Sequence, residues 1–379
     1  MRFSLVSAAI VAALVGYGST IALVLSAAAA VGASPAQTIS WVLALCLTKA
    51  TGSAVLSTWH RVPVVLAWST PGAALIAATS GITMTEAAGA FLLAAFLIVL
   101  TSAVGPLARL IARIPDAIAA AMLAGVLLPF CLKLSGAAKA APALVLPMIV
   151  MFLVARLRAP AFAVLAALGL GLIVALSTGT DLPPLTAALP LPVMILPEWR
   201  LEVLIGLGLP LYLVTMASQN LPGFATMRAA GFEPPVQSAL AVSGMLSAVG
   251  AVFGGHTVNM AAITAAICLG DDVHPDRTQR WKVGLAYAAV WVALGLAGPL
   301  ILTVLIVLPA QLLVALVALA LLSPLTGALS LAFSPVEARF ASTVTLAVSA
   351  AGVGAFGIGA AFWGLVAGLA VHALSRLAR

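Results

Sequence analysis

The stretch Val62-Pro63-Val64-Val65-Leu66-Ala67-Trp68-Ser69-Thr70-Pro71-Gly72-Ala73-Ala74-Leu75-Ile76-Ala77 is apolar but does not read as one helix. Val62–Trp68 is mostly β-branched or aromatic around a proline, the composition of an extended strand. Ser69 or Thr70 then supplies a helix cap, and Pro71 suits the first helical turn. Only about ten residues remain before Ser80-Gly81, or about 15 Å of helix at about 1.5 Å per residue. Such a helix is too short to cross a hydrocarbon layer of about 30 Å alone. The segment therefore reads as half strand, half helix, with its break near mid-membrane.

The same design returns at Val252-Phe253-Gly254-Gly255-His256-Thr257-Val258-Asn259-Met260-Ala261-Ala262-Ile263-Thr264-Ala265-Ala266-Ile267, where glycines and polar residues precede another short helix ending near Gly270. Irregular backbone at membrane depth is tolerated only where it is buried in protein or lines a cavity. Two such segments in corresponding halves point to a transport site. Facing each other, they aim two helix N-termini at one place, which suits an anion. The plainer reading is a pair of kinked structural helices, since Gly and Pro are frequent in membrane helices.

Composition places these segments in a membrane. Of 379 residues, 64% are hydrophobic and 7% charged, against about 25% charged in soluble domains. Apolar stretches are expected at 5–31, 35–58, 62–80, 84–104, 115–134, 140–156 and 159–177. After a Pro-rich stretch (Pro183, Pro184, Pro190, Pro192, Pro197), they resume at 201–220, 235–252, 253–269, 279–305, 308–333, 338–355 and 358–375. The stretch after Arg2 is longer than the 7–15 residues of a signal-peptide core, so it is read as a retained span. The expected architecture is an all-α polytopic membrane protein of fourteen transmembrane segments. They form seven plus seven inverted repeats, 1–200 and 201–379, with segments three and ten half strand, half helix.

Charge agrees. With the N-terminus inside, Arg2, Arg61, Arg109, Arg113, Arg156, Arg158, Arg228, Arg277, Arg280, Lys282, Arg339, Arg376 and Arg379 fall on the cytoplasmic side. Lys133, Lys139 and Arg200 fall outside. This bias follows the positive-inside rule and puts both termini in the cytoplasm. The net charge of +7 is spread over short loops, so nucleic acid is not an expected partner. Cys46, Cys131 and Cys268 lie in or beside apolar runs with no metal spacing and read as small buried hydrophobes. No cofactor fingerprint, nucleophile motif or metal triad is present, so an enzyme is not expected. Asp271-Asp272-Val273-His274-Pro275-Asp276-Arg277 has metal-friendly residues but reads as a topological loop.

All 10 acidic residues fall in loops or at span ends, so no intramembrane carboxylate offers itself as a proton carrier. His256 is the main titratable candidate at mid-membrane: a proton switch, or a neutral ring satisfied by backbone. Gln219 and Asn220, closing Thr215-Met216-Ala217-Ser218-Gln219-Asn220, either bind a carboxylate or join helices. Tyr17, in Gly16-Tyr17-Gly18-Ser19, offers a ring and hydroxyl to a substrate or to packing. Lys49, within a span, either pairs with substrate or snorkels to the cytoplasmic interface, and snorkelling is the favoured reading.

Ala67–Leu75, Thr215–Asn220, Phe253–Asn259, Ala261–Cys268 and His274-Pro275-Asp276 resemble the benzoate:proton symporter (BenE) family, in order along nearly the whole chain. The resemblance implies import of benzoate or a similar aromatic carboxylate with a proton across the bacterial inner membrane. It also implies kinship with nucleobase permeases and sulfate or bicarbonate carriers, whose core and gate domains move against each other. It is compatible with a homodimer and implies no cofactor or metal. Nucleobase permeases carry an acidic residue around the position of His256 and another where Ser218 or Gln219 stands. Here the corresponding positions suit an acceptor-rich anion, and the usual acidic proton carrier has no counterpart. The expected substrate site is Tyr17, Trp68, Ser69, Thr70, Gly72, Ser218, Gln219, Asn220, Thr257, Val258 and Asn259, with His256 taking the proton. A uniporter or channel for small anions is the alternative.

Overall fold

The computed structural model describes residues 2–104, 115–179, 189–352, 354–356 and 358–377. Arg109, Arg113, Arg379, Pro183 and Pro184, named above, lie outside these. In the first half the elements are α1 (Phe3–Ala30), α2 (Pro35–His60), β1 (Leu66–Trp68), α3 (Thr70–Ala77), α4 (Met84–Ala103), α5 (Asp116–Ala140), α6 (Pro142–Arg158) and α7 (Ala163–Ser177). The second half has α8 (Leu201–Ala229), α9 (Val236–Val252), β2 (Val258–Met260), α10 (Ile263–Leu269), α11 (Lys282–Leu296), α12 (Gly298–Val307), α13 (Ala310–Phe333), α14 (Arg339–Ala350) and α15 (Ala360–Leu377).

Local chemistry starts these elements where the sequence signals them. Ser34 and Gln37 close a capping box on α2, with Pro35 in its first turn. Thr83 and Glu86 do the same for α4. Each box satisfies backbone donors that a helix start leaves free. Glu86 is also held by Arg200 at 2.7 Å, which ties α4 to the segment leading into α8.

Among the described residues seven helices are long and apolar enough to cross a bilayer, or eight if α11 and α12 count as one span. Helix length therefore establishes fewer crossings than the fourteen expected. Two boundaries also differ from expectation. The segment expected at 279–305 is two helices bent by 57° at Ala297. The segment expected to close at Asn220 continues to Ala229. It continues because α8 widens into π turns at Leu204–Gly208 and Met216–Asn220. Pro210 and Pro222 lack the N–H that would bond Gly206 and Ser218, and the wider turns absorb that loss without ending the helix.

The two strands pair antiparallel, Leu66 with Met260, Ala67 with Asn259 and Trp68 with Val258. Flanking bonds run from Ser69 N–H to the Thr257 carbonyl (3.0 Å) and from Ala261 N–H to the Val65 carbonyl (2.9 Å). A two-stranded sheet has two free edges, and in a membrane free edges are costly. Side chains close them here. Ser57 and Ser53 of α2 accept from Val64 N–H (3.0 Å) and Leu66 N–H (2.9 Å). Tyr287 of α11 donates to the Leu66 carbonyl at 3.1 Å. On the other strand, Ser247 of α9 accepts from Val258 N–H (2.8 Å) and Asn220 of α8 from Met260 N–H (2.9 Å).

Helices α1–α4 and α8–α12 gather around this sheet, with α2 packed on α11 and α4 on α9. A second group joins α5 to α13, α6 to α7 and α14 to α15. Among the described residues no hydrogen bond or ion pair joins the two groups. On the outer side α6 exposes Leu146, Val150, Leu153 and Leu157 along one face, a surface suited to acyl chains.

Close helix approach makes some glycines irreplaceable. A Cβ on Gly284 of α11 would lie 2.1 Å from Ser57 Oγ, and Ser57 is held by two bonds to Val64. Gly284→Ala should therefore destabilise the protein by about 1–3 kcal/mol. Gly136→Ala, where nothing lies within 4 Å, should leave stability unchanged or raise it by about 0.5–1 kcal/mol. Thermal unfolding of the two variants in detergent provides the comparison.

Candidate functional site

A cavity of about 920 Å³ opens between the two helix groups, within the range of about 300–1,000 Å³ typical of ligand sites. One wall is the strand-helix pair: Trp68, Thr70 and Pro71 from the first crossing, Ala261, Ala262 and Thr264 from the second. Val15, Gly16, Ser19 and Thr20 of α1 and Ser218 and Gln219 of α8 extend it. The opposite wall is α5 and α13, smooth with small residues such as Ala120, Ala320, Gly327 and Ala328. Asp116 and Arg156, both exposed, stand at its rim, and Arg156 donates to the Ser323 hydroxyl.

Of the residues singled out from sequence, Trp68, Thr70, Ser218 and Gln219 are in the cavity wall. The π turn at Met216–Asn220 places Ser218 and Gln219 there while Asn220 faces the sheet. The other candidates form a layer behind the wall. Ser69 caps α3, accepting from Gly72 N–H at 3.0 Å, and receives the Thr215 hydroxyl at 3.2 Å. Thr257 shares a bond of 2.8 Å with Thr215. Asn259 turns its amide between Ser69 N–H (3.0 Å) and the Met260 carbonyl (2.9 Å). Val258 is a buried strand residue. A Cβ on Gly72 would lie 2.6 Å from Leu211 Cδ1, so the glycine serves close packing. Tyr17 packs its ring 5.8 Å from Trp68 and 5.9 Å from Trp291.

His256 also lies behind the wall, fully buried. Trp41 Nε1 donates to its Nδ1 at 3.1 Å, and its Nε2 bonds the Ser69 carbonyl at 3.0 Å. Nδ1 accepts, so Nε2 carries the proton, and the neutral ring has both nitrogens engaged. The arrangement fits the alternative reading of a neutral ring satisfied by its surroundings and pins α2 to the start of α3.

Lys49 does not snorkel. It sits mid-helix, about 17–21 Å from either end of α2 at about 1.5 Å per residue, and is 1% exposed. Its Nζ lies 3.2 Å from the ring centre of Trp68 and 2.9 Å from that of Trp291. Among the described residues it makes no ion pair, yet it contributes to the cavity wall. Removing a cation from water costs several kcal/mol, and each desolvated aromatic face returns about 2 kcal/mol. The two indoles offset part of that cost, and no counter-ion among the described residues supplies the rest. Sequence reasoning passed over Trp291, Tyr287, Thr264 and Thr20. The signal available was a lysine far from both ends of an apolar segment.

The sequence profile of the family described as "Benzoate membrane transport protein" (BenE) matches residues 1–374, and the chain belongs to that family. It is a multi-pass membrane transport protein, not an enzyme. The inner membrane protein YdcO of Escherichia coli (strain K12) is 40% identical over 363 residues, covering 95% of this chain and 93% of the relative. The benzoate membrane transport protein of Acinetobacter baylyi (strain ATCC 33305 / BD413 / ADP1) is 32% identical over 367 residues, covering 96% and 93%. Among solved structures, the transmembrane domain of the cyanobacterial bicarbonate transporter BicA superposes with a TM-score of 0.60 at 13% identity, covering 99% of this chain and 98% of that one. SLC26A9 superposes with a TM-score of 0.65 at 14% identity, covering 97% and 65%. These two share the fold.

His256→Ala should cost about 1–3 kcal/mol, because it strands the buried Trp41 N–H and the Ser69 carbonyl. Thermal unfolding measures that loss. Substrate counterflow and gradient-driven uptake should fall together; loss of gradient-driven uptake alone would instead mark the ring as a proton carrier.

Proposed function

We propose that this protein imports benzoate or a similar aromatic carboxylate together with a proton. The observation that carries the reading is the cavity wall itself. It combines aromatic faces (Trp68, Trp291), donors (Thr70, Ser218, Gln219) and a buried cation (Lys49), with Asp116 at the rim its one carboxylate. An aryl ring stacks on the first, and a carboxylate takes hydrogen bonds and charge from the others. The family and the Acinetobacter baylyi relative support the same substrate.

We further read the chain as two inverted repeats, 1–200 and 201–379, giving fourteen crossings with both termini cytoplasmic. Packing supports this. Exchanging each segment for its counterpart turns the α2–α11 contact into α9–α4 and α6–α7 into α14–α15. The edge-closing serines come from α2 and α9, which are also counterparts. In this reading the sheet-centred helices are the core and α5–α7 with α13–α15 the gate. Alternating access is their relative rocking, which breaks no hydrogen bond between them among the described residues. With that orientation of the termini the open end, with Asp116 and Arg156 at its rim, faces the cytoplasm. The remaining candidates, Tyr17, Ser69, Gly72, Asn220, Thr257, Val258 and Asn259, shape the site from behind.

Labelled benzoate entering proteoliposomes under an inward proton gradient is the test. Protein-free vesicles must be subtracted, because the neutral acid crosses lipid unaided. Entry faster than that control, saturable and abolished by collapsing the gradient, is expected. Gln219→Ala should raise KM about 5- to 30-fold, the loss of about 1–2 kcal/mol of hydrogen bonding. Entry no faster than the control would remove benzoate as substrate.

A further inference from the structure

The environment of Lys49 contains more than a charge. Gly16 lets α1 approach closely there: a Cβ on it would meet Thr264 Cγ2 at 3.3 Å and the Trp291 ring at 3.4 Å. The Thr264 hydroxyl and the Trp291 indole N–H are buried without a close hydrogen bond, approaching only the Tyr287 hydroxyl, and both residues belong to the cavity wall. Trp291 holds its ring over Lys49 Nζ. Orphaned buried donors are rare and call for an explanation. Beside the unpaired Lys49 they form a set of donors with no negatively charged acceptor; the nearby Tyr287 hydroxyl is itself committed as a donor to the Leu66 carbonyl.

The titratable groups packed around Lys49 do not supply one. They are Cys46 on α2 itself, Tyr17 on α1, Tyr287 on α11, Cys268 on α10 and His256 ahead of β2. None is a carboxylate. The β1–α3 crossing and α9 contribute no titratable side chain. The charged groups that share the cavity, Asp116 and Arg156, are at its rim. The anion that completes the set must come from outside.

From this geometry we infer that Lys49 binds the substrate carboxylate and carries the coupling proton, assisted by Thr264 and Trp291. The inference rests on the reading of the cavity as an aromatic-acid site. In the empty carrier Lys49 is a neutral amine between two indoles. Substrate enters as the carboxylate, the amine takes one proton from solution, and the ammonium–carboxylate pair forms. Neither half is stable alone. A carboxylate beside a neutral amine lacks its counter-charge, and an ammonium without carboxylate has only the ring faces. The site therefore fills with both or neither. On release to the cytoplasm the ammonium returns its proton to water, the carboxylate leaves, and the neutral carrier returns. One anion and one proton move together, with no net charge.

The decisive measurement is proton uptake on benzoate binding, read with a pH dye in weakly buffered detergent solution at mildly alkaline pH. Benzoate is fully ionised there. Wild type should take up about one proton per site, and its apparent Kd should rise about tenfold per pH unit. Lys49→Met should bind at least about tenfold more weakly and take up none. Lys49→Arg, a fixed cation, should bind and exchange benzoate without proton uptake and fail to accumulate it under a gradient. Wild type that binds without taking up a proton would overturn the inference and leave the substrate reading intact. Proton uptake retained in Lys49→Met would do the same. Wild type that binds no benzoate would overturn both. If neither variant folds, the wild-type proton count still decides.

Discussion

The backbone of two membrane crossings leaves the helix halfway, and each amide it exposes must find a partner away from water. The rest of the structure follows from how that demand is met. β1 and β2 pair with each other, and their outer edges are closed by Ser53, Ser57, Ser247, Asn220 and Tyr287. An unsatisfied amide in hydrocarbon costs several kcal/mol, so these side chains are a condition for the fold. They also dictate which helices surround the sheet, since α2, α8, α9 and α11 must each present a polar group at one depth. The core group is the set of helices that can supply those groups or pack against those that do.

This explains what could be read from the sequence. Val62–Trp68 announced a strand by its β-branched content, and Ser69-Thr70-Pro71 announced a cap and a first turn. Both signals are local; the structure places the cap at Ser69 and starts the helix at Thr70 as they indicate, but pairs only Leu66–Trp68 of the expected strand. The serines that close the sheet were invisible, because in sequence they are small polar residues on ordinary helices, 7, 13 and 11 positions from their partners. For α8, the polar run Thr215–Asn220 looked like an end. It is a π turn inside a continuing helix, tolerated because Ser218 and Gln219 face the cavity and Asn220 faces β2.

Depth was legible in part where direction was not. His256 and Asn259 belong to a segment that reads as breaking near mid-membrane, whereas Ser218, Gln219 and Asn220 read as closing a span. A strand gives alternate residues to opposite faces, and the hydrogen-bond demand of the sheet took most of these side chains away from the cavity. The polar residues nearest to irregular backbone are the ones most needed by it. That leaves the cavity wall to be supplied largely by regular helices facing the sheet, and α2, α10 and α11 bring Lys49, Thr264 and Trp291 to it. Their convergence is a product of packing, and no spacing in the chain foretells it.

The same sheet bears on how a site at mid-membrane can move intact. Pairing β1 with β2 joins two crossings from opposite halves of the chain into one unit, and α1, α2, α8 and α11 are bonded or packed onto it. The cation, its two indoles and the cavity donors thus ride on one body. A motion that separated them would break buried hydrogen bonds costing about 1–3 kcal/mol each. Sliding the body against the small-residue face of α5 and α13 breaks none among the described residues. The cheap coordinate is therefore the one that moves this wall of the cavity as a unit, and backbone satisfaction at the break enforces that choice.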